Sequence, residues 1–368
     1  MMSSPTYQES RMVNNNLWSS TWNLIDLNNN NLGKINGRSC EDAYIALSRI
    51  EKYYKKSIFV KRLVLLGDGH GGSNKLDICN NLNKLDNSEY ETHILSTVIN
   101  GSVFSDNTII KPLITYVTKQ IEKKNIRKGE ICKAIKKAVY KFDKDCYKSK
   151  KVFAGTTVAF ILTISINKVD EYYCAWLGDS KILITYEKTI LFESIDHNAN
   201  ILEEKQRVRL AGGYINRFKY VQVCNNHRCK TAECLGMTRS LGDYKNTKFK
   251  SFRGSPNKYN DGFPLQIVSS VPSVEKFNVP TNVKIDDILL TITSDGIMPS
   301  KELSPIKNTQ MLVDYIYNIK LENTENTGIA QKIVTNIRNQ QIMLFEQKGV
   351  DIDLIDDITL ILIKMTNL

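Results

Sequence analysis

Four aspartates stand where a run of apolar residues meets a turn. Asp68 follows RLVLLG, Asp179 follows YYCAWLG, and Asp295 follows LLTITS. Asp356, with Asp357 beside it, comes directly before ITLILIKM. One such aspartate can be structural, because Asp caps turns and tolerates unusual backbone angles. Since strands of one sheet could deliver all of them to a single edge, we interpret them as candidates for a shared site.

Carboxylates gathered at one edge would repel one another, which disfavours their charged form unless a cation compensates. A set of ligands made only of oxygen atoms selects hard ions, Mg²⁺ or Mn²⁺, over zinc. Two such ions can clamp both oxygens of an in-line displacement at phosphorus and generate a hydroxide at neutral pH. The aspartates therefore predict a binuclear site for phosphate-ester hydrolysis.

The stretch RLVLLGDGHGGSN adds a proton donor to this chemistry. His70 stands two residues after Asp68 and could protonate a leaving alkoxide. The alternative is an exposed histidine in a turn. The glycines around it, Gly69 among them, would let the backbone approach a metal, and a main-chain carbonyl there can serve as a ligand.

The elements that would position these residues follow from hydrophobic periodicity. Short runs rich in Ile, Val, Leu, Thr and Tyr predict strands over 58–66, 156–166, 172–177, 181–186, 267–269, 287–293 and 358–365. Apolar residues at helical spacing predict helices over 108–124, 130–147, 201–211, 309–321 and 327–347. Tight turns such as WLGDSKILI favour antiparallel pairing. Because the helices come in pairs between groups of strands, the pattern predicts an α+β layered domain.

Composition limits the class of protein. Eight cysteines in 368 residues do not form the framework of a small secreted scaffold, and the apolar runs are shorter than a membrane span. We therefore expect no signal peptide, no membrane anchor and an intracellular protein, cytoplasmic or nuclear. The formal charge of +11 would suit a nucleic-acid binder, but the lysines are spread along the chain, so nucleic acid is not the expected partner. Residues 1–32 are interpreted as a polar, Asn-rich N-terminal extension.

From about residue 33 to the end, the chain resembles the metal-dependent protein serine/threonine phosphatases of type 2C, the PPM family. The resemblance rests on eight motifs in order: GRSCEDAYI, GDGHGG, AGTTVAFIL, LGDSKILI, DHNANILEEKQRVRLAGGYI, LGMTRSLGD, TSDGIM and DDITLILI. It implies a catalytic domain over 33–368, built as a central antiparallel β-sandwich flanked by helix pairs on both faces, a four-layer α-β-β-α arrangement.

The resemblance also implies roles for individual residues. Asp68 would bridge two Mg²⁺ or Mn²⁺ ions, with the Gly69 carbonyl on one of them, and His70 would be the general acid. The remaining ligands fall into three groups: Asp295 and Asp356 for the first metal, Glu41 and Asp42 for the second, and Asp179 for a third, weaker metal found in some members. Arg38 would grip the substrate phosphate, which suits a planar guanidinium.

Three positions depart from the family pattern. Arg38 lies three residues before Glu41, where the family has four, and a slip of one residue on a strand turns a side chain to the opposite face. The closing Asp-Asn pair of the family reads Asp356-Asp357, so a further negative charge stands beside the metal ligand. Lys181 replaces an arginine in the hairpin after Asp179, a change that we expect to be tolerated.

These features predict an active protein serine/threonine phosphatase, a monomer acting on phosphoprotein substrates. The alternative is a pseudophosphatase that uses the same fold as a binding or scaffold module.

A basic insertion over 245–261 is expected on the surface. A variable flap over 214–234 is expected beside the site. Its cations are hypothesised to favour phosphosites with acidic neighbours: Arg217, Lys219, Arg228 and Lys230. Its cysteines and histidine match no common paired zinc spacing, so ordinary thiols are favoured: Cys224, His227, Cys229 and Cys234.

Overall fold

The structure is a computed structural model that describes most of the chain after residue 154 and selected segments before it. The described residues are 6–11, 18–24, 32–35, 42–51, 58–70, 113, 116–121, 130–149, 155–223, 234–243, 252–253, 259–260, 262–298, 303–322, 329–352 and 355–365. Several predicted site and flap positions lie outside them: Arg38, Glu41, Cys224, His227, Arg228, Cys229 and Lys230.

Two antiparallel sheets form the centre of the described chain, with strands numbered in chain order. The larger sheet has the spatial order β1 (Thr6–Arg11), β2 (Trp18–Leu24), β4 (Ala43–Glu51), β5 (Ile58–Gly67), β8 (Val158–Ile166), β9 (Val169–Leu177) and β18 (Ser273–Phe277). The smaller has the order β11 (Thr189–Glu193), β10 (Lys181–Tyr186), β19 (Ile288–Thr293), β20 (Ile358–Lys364) and β3 (Leu32–Ile35). The segment interpreted as an N-terminal extension thus contributes two strands, β1 and β2.

In the described part of the chain, short ribbons, four α-helices and two 3₁₀ helices, Ile285–Asp287 and Asp295–Ile297, accompany these sheets, and residues 116–121 are also helical. The ribbons are β15 (Leu241–Gly242) with β7 (Gly155–Thr156) and β6 (Gly69–His70), β12 (Tyr214–Ile215) with β13 (Val221–Gln222) and β14 (Cys234–Leu235), and β16 (Tyr259–Asn260) with β17 (Phe263–Pro264). The helices are α1 (Ile131–Ser149), α2 (Leu202–Leu210), α3 (Thr309–Glu322) and α4 (Ile329–Gln347). No helix among the described residues is long and apolar enough to cross a membrane.

Strand β5 shows why the sequence RLVLL is apolar without interruption. Leu63 and Leu65 pack in the cluster that contains α1, whereas Val64 and Leu66 pack in a cluster shared with β10, β19 and β20. Successive side chains of a strand point to opposite faces, so a strand buried on both faces has no polar alternation. A third cluster joins the outer face of the smaller sheet to α3 and α4. The prediction of an α+β fold with antiparallel sheets and helices packed on them is confirmed.

The predicted strand over 267–269 is wrong. Ile267 and Val268 are fully buried but lie in a bend, and Ser269 makes only an isolated bridge to Arg239. Their apolar side chains fill a small cluster with Val208 of α2 and Val221 of β13. A short apolar run shows that residues are buried, and it does not by itself distinguish a strand from a packed bend.

The basic segment 245–261 is not confined to the surface. Phe252 is buried against Val268, and Arg253 donates to the Asp143 carboxylate of α1 at 2.8 Å. The Arg253 guanidinium also donates to the Val268 carbonyl at 2.7 Å. This pair of residues therefore anchors the segment to the domain, which the lysine-rich composition around it did not indicate.

Candidate active site

The backbone of Asp68 is fixed where β5 ends. The Thr157 amide donates to the Asp68 carbonyl at 2.8 Å, and the Thr156 hydroxyl donates to the same carbonyl at 3.1 Å. The Asp68 amide donates in turn to the Thr157 hydroxyl at 3.3 Å. The two threonines of AGTTVAFIL thus hold the aspartate from the neighbouring strand.

Asp179 lies in the tight turn between β9 and β10. Gly178 opens this turn with φ +106°, a conformation that favours glycine, and a Cβ there would lie 2.6 Å from the Thr157 Cγ2. The Ser180 hydroxyl shares a hydrogen bond of 2.6 Å with the Thr157 hydroxyl. Thr157 therefore connects the turn of Asp179 to the end of β5 that carries Asp68.

Asp295 and Asp356 come from the adjoining strands β19 and β20. The Ser294 amide donates to the Thr359 carbonyl at 3.1 Å, and the Thr359 amide donates to the Ser294 hydroxyl at 3.0 Å. Gly296 makes the approach of the two turns possible, because a Cβ there would overlap the Asp357 carbonyl. Antiparallel pairing thus sets the residue after β19 next to the residues before β20.

Helix α4 supports both of these turns. The Gln341 side-chain amide, fully buried, donates to the Gly296 carbonyl at 2.9 Å. Arg338, one turn earlier on the same helix, donates to the Asp356 carbonyl at 2.6 Å. A single rigid element therefore fixes the separation of two acids that lie sixty residues apart in the chain.

Asp42 reaches the same place from the N-terminal part of the chain. It is buried, and its Oδ2 accepts a hydrogen bond of 2.6 Å from the Thr359 hydroxyl of β20. Five aspartates predicted as metal ligands are therefore brought together, and we call them the acid cluster: Asp42, Asp68, Asp179, Asp295 and Asp356.

Burial and mutual repulsion dominate the electrostatics of the acid cluster. Burial, followed by the charges of Asp295 and Asp42, holds the pKa of Asp68 well above its usual value. Burial raises the pKa of Asp295 to about 7, with Asp179 and Asp356 adding to the shift. Burial also raises the pKa of Asp179, to about 6. The charge of each acid thus disfavours ionisation of its neighbours.

The side chains of the acid cluster suit hard divalent cations. Carboxylate oxygens are the ligands that these cations prefer, and a bound cation would stabilise the charged form that the surroundings disfavour. The Asp179 Oδ1 is buried and has no hydrogen-bond partner, which is the condition of an oxygen suited to a cation. Within the described part of the chain, however, no three acidic, histidine or cysteine side chains are placed to hold a metal ion together. The acid cluster is therefore a shared electrostatic environment, and the assignment of ligands within it stays a prediction.

His70 lies at the margin of the acid cluster. Its charge lowers the pKa of Asp179, so the imidazole stands close to that carboxyl. Gly69, the predicted carbonyl ligand, is buried in β6.

Lys181 is ion-paired with Asp196 at 2.8 Å and donates to the Ser194 carbonyl at 3.3 Å. The predicted phosphate ligand Arg38 and the predicted metal ligand Glu41 lie outside the described residues.

Two further acids belong to this neighbourhood, and sequence reasoning assigned them no role. Asp196 is the strongest charged influence on Asp179 and also acts on Asp295. Asp243 accepts a hydrogen bond from His70, with 2.9 Å between Nε2 and Oδ2. Both stand inside motifs that carry the family resemblance, DHNAN and LGMTRSLGD. Their place in these motifs was the only feature of the sequence that could have indicated a role.

The flap hairpin β12–β13 presents its cations at an exposed tip. The Arg217 guanidinium lies 4.6 Å from the centre of the Phe218 ring, a cation–π contact on the surface. Lys219 adopts φ +69° in the turn, and the Asn216 side chain accepts from the amides of Phe218 and Tyr220. Cys234 accepts a hydrogen bond from Gln222, and three of the four flap residues considered for zinc are outside the described chain.

A fold of antiparallel sheets with outer helices and a cluster of mostly buried or partly buried aspartates at their strand ends is typical of metal-dependent phosphatases. The sequence model of Protein phosphatase 2C matches residues 68–342, and the chain belongs to that family.

Individual relatives are distant. The chain is 26% identical over 222 residues to "Protein phosphatase 2C homolog 3" of Schizosaccharomyces pombe, covering 59% of this chain and 45% of the relative. It is 25% identical over 182 residues to "Probable protein phosphatase 2C 21" of Arabidopsis thaliana, covering 50% of this chain and 43% of the relative. The chain thus spans less than half the length of these two relatives.

The fold has a counterpart among solved structures. The crystal structure of a phosphatase from a pathogenic strain of Toxoplasma gondii superposes with a TM-score of 0.55 at 15% identity, covering 94% of this chain and 92% of the other. At this identity the likeness concerns the fold alone.

Proposed function

We propose that this protein is a metal-dependent serine/threonine phosphatase that hydrolyses phosphoserine and phosphothreonine in proteins. The proposal is supported by membership in the protein phosphatase 2C family and by relatives named as protein phosphatases. The single observation that carries it is the acid cluster, in which Asp68 and Asp295 are partly buried and have raised pKa values. Such an arrangement is costly to a fold, and it is typical of active sites.

Two Mg²⁺ or Mn²⁺ ions would be held by six residues: Glu41, Asp42, Asp68, Gly69, Asp295 and Asp356. Asp179 would hold a third ion. Bound ions of this kind supply a water nucleophile of lowered pKa and neutralise the charge on the phosphate oxygens. His70 would give its proton to the serine or threonine oxygen as that group leaves. Arg38 would orient the phosphate through two parallel hydrogen bonds.

The residues of the chain itself determine the geometry of this reaction. Thr156 and Thr157 fix the backbone of Asp68, and α4 fixes the turns of Asp295 and Asp356 through Gln341 and Arg338. The acids are thereby held before any substrate arrives, which lowers the reorganisation that the reaction requires. All of the fixing groups are main-chain or neutral contacts except Arg338, so they add little charge to the acid cluster.

Release of inorganic phosphate from a phosphothreonine peptide tests the proposal, measured with Mn²⁺, with Mg²⁺ and with chelator. We expect activity that depends on the added cation. Asp68→Asn keeps the size of the side chain but removes the bridging charge, and we expect it to lower kcat/KM at least about 100-fold, because several kcal/mol of transition-state stabilisation are lost.

A matched control is Asp170→Asn, which changes an aspartate that pairs with Lys61 on the larger sheet, away from the acid cluster. It should retain wild-type activity. A wild-type protein that releases no phosphate under any of the three conditions would refute the catalytic assignment and favour a binding or scaffold role. Equal activity of Asp68→Asn and wild type would refute the assignment of Asp68.

A further inference from the structure

The Asp243 carboxylate is the buried partner of the His70 imidazole. The residues are 173 positions apart, and their contact measures 2.9 Å between Nε2 and Oδ2. Only 18% of the His70 side chain and 8% of the Asp243 side chain are exposed. The charge of His70 lowers the pKa of Asp243 despite burial. An ionised carboxylate only accepts hydrogen bonds, and the same Oδ2 also accepts from the Ser240 hydroxyl, so we assign the hydrogen of the His70 contact to Nε2.

The ribbon β15–β7–β6 is shaped for this contact. Gly155 of β7 stands opposite His70 on one side and opposite Gly242 on the other. A Cβ at Gly155 would overlap the Asp243 carboxylate. The absence of a side chain on the central strand therefore provides the space in which the aspartate and the histidine meet.

The backbone of Asp243 is held in an unfavourable conformation. Its φ is +54°, directly after Gly242 at +79°. A residue other than glycine in the left-handed region costs about 1 kcal/mol, and such conformations cluster at functional sites. Glycine would satisfy the same backbone at lower cost, so the conformation alone does not account for an acidic side chain here.

Two neighbouring groups hold the turn in place. The Asp143 carboxylate of α1 accepts from the Gly242 amide at 3.0 Å, and Arg253 donates to both Asp143 and the Gly242 carbonyl. The Ser240 hydroxyl donates to the Asp243 Oδ2, the same oxygen that faces His70. Main chain and carboxylate are thus fixed independently, which gives the imidazole a rigid acceptor.

We propose that Asp243 is the positioning residue for proton transfer by His70. It accepts the Nε2 hydrogen, fixes the rotation of the ring and assigns the transferable proton to Nδ1. As the bond between phosphorus and the serine or threonine oxygen breaks, its electron pair stays on that oxygen, which takes the Nδ1 proton and leaves as the hydroxyl. The oxygen of water forms the new bond to phosphorus and releases one proton to solvent, and the ring, which was a cation before the transfer, is left neutral with its Nε2 hydrogen on Asp243. This inference rests on the proposed function.

Leaving-group dependence separates positioning from simple structural support. An alkyl leaving group needs a proton, whereas the nitrophenolate of p-nitrophenyl phosphate leaves without one. With Mn²⁺ and full-length protein, Asp243→Asn should lower kcat on a phosphothreonine peptide about 10- to 100-fold, since general acid catalysis contributes on the order of 100-fold or more. Its kcat on p-nitrophenyl phosphate should change less than about threefold. Equal losses on both substrates would overturn the proposal.

A double-mutant cycle with His70→Ala tests whether Asp243 acts through the histidine. Residues that act through one another are not additive, so Asp243→Asn should have little further effect once His70 is removed. The same loss in both backgrounds would contradict the proposal. Asp170→Asn, which makes the same change at an aspartate paired with Lys61 on the larger sheet, is the matched control, expected within about threefold of wild type.

Two further measurements do not depend on the folding of Asp243→Asn. Gly155→Ala keeps Asp243 but places a methyl group where its carboxylate lies, and it should reproduce the leaving-group dependence. In wild-type protein, nitrogen-edited spectra of the neutral His70 ring should place the proton on Nε2, and a proton on Nδ1 would overturn the assignment. A wild type inactive on both substrates would instead refute the proposed function, leaving the spectroscopic result to decide the pairing.

Discussion

At the scale of single residues, the raised pKa of Asp295 has a measurable effect on stability. The folded protein holds this proton up to about pH 7, whereas the unfolded chain releases it near the ordinary aspartate pKa of 3.8. The folded state therefore binds more protons between these values, and the stabilisation is lost as pH rises through the folded pKa. In chelator, the thermal midpoint should fall by several degrees between pH 6 and pH 8.

Addition of Mn²⁺ should abolish this fall, because a bound cation removes the penalty on the charged carboxyl. Asp295→Asn should make the fall smaller, since Asp68 and Asp179 keep raised pKa values, and it should raise the midpoint in chelator at pH 8. The contribution of His197 to stability has the opposite pH dependence. Burial and the charge of Arg239 lower its pKa, so the folded state gains stability as pH rises toward the ordinary histidine pKa of 6.5. Comparison of the variant with wild type at each pH isolates Asp295. A midpoint that rises from pH 6 to pH 8 in both proteins would contradict the expectation.

The sequence indicated the acids themselves but not all of their contacts. Asp68, Asp179, Asp295 and Asp356 were recognisable because each stands at one end of an apolar run, and strand pairing then brings strand ends together. Asp243 and Asp196 follow no such run. Their partners are set by tertiary contacts that span many residues, such as the 173 positions between His70 and Asp243. Local periodicity carries no information about contacts of this kind.

At the scale of elements, helix α2 contains a buried ionic network. Glu204 accepts from Arg207 at 3.0 Å, from the Thr238 hydroxyl at 2.6 Å and from Arg239. These interactions, led by the Arg239 hydrogen bond, outweigh burial and hold the pKa of Glu204 well below its usual value. The network joins α2 to the segment LGMTRSLGD that ends at Asp243.

Removal of this carboxylate should leave two guanidinium groups without their anion. We expect Glu204→Ala to lower the free energy of unfolding by about 3 to 5 kcal/mol, the usual cost of breaking a buried ion pair on one side. Denaturant titration followed by circular dichroism measures it. Glu203→Ala is the control, because Glu203 is exposed on the same helix, and it should change stability by less than about 0.5 kcal/mol. Equal small effects would mean that the network contributes no net stability.

The secondary structure was largely predictable, and the exception has a physical cause. The helices predicted over 130–147, 201–211, 309–321 and 327–347 are confirmed within a few residues at each end, as are the strands that carry the aspartates. These segments are long or show a clear period, so the buried face determines the structure. The run 267–269 is too short for periodicity to distinguish a strand from a bend, and tertiary packing decided it.

At the scale of the whole molecule, the formal charge of +11 should influence how fast substrates of different charge bind. The cations Arg217 and Lys219 stand at the exposed tip of the flap hairpin. A positive surface raises the local concentration of anionic ligands, and salt screens the effect. We therefore expect higher kcat/KM for a phosphopeptide with acidic neighbours than for one with basic neighbours, by about 3- to 10-fold at low salt.

This preference should shrink as ionic strength rises to about 0.5 M. Arg217→Glu combined with Lys219→Glu should reverse or remove it, whereas Lys284→Glu, an exposed change outside the flap, should leave most of it. Steady-state kinetics on the two peptides measure each case. Equal kcat/KM for both peptides at low salt would refute a selective role of the flap.

The hydrogen bond from Thr359 to Asp42 closes a loop of 317 residues, and this has a consequence for biosynthesis. Ribosomes make Asp42 and Asp68 long before β20, so the emerging chain carries these acids without the strand that sets their neighbours. Contacts of such long range form slowly and late. A chain that ended before β20 would contain every described strand of the larger sheet but lack the Thr359 bond to Asp42. The acid cluster can therefore be completed only after β20 has been synthesised.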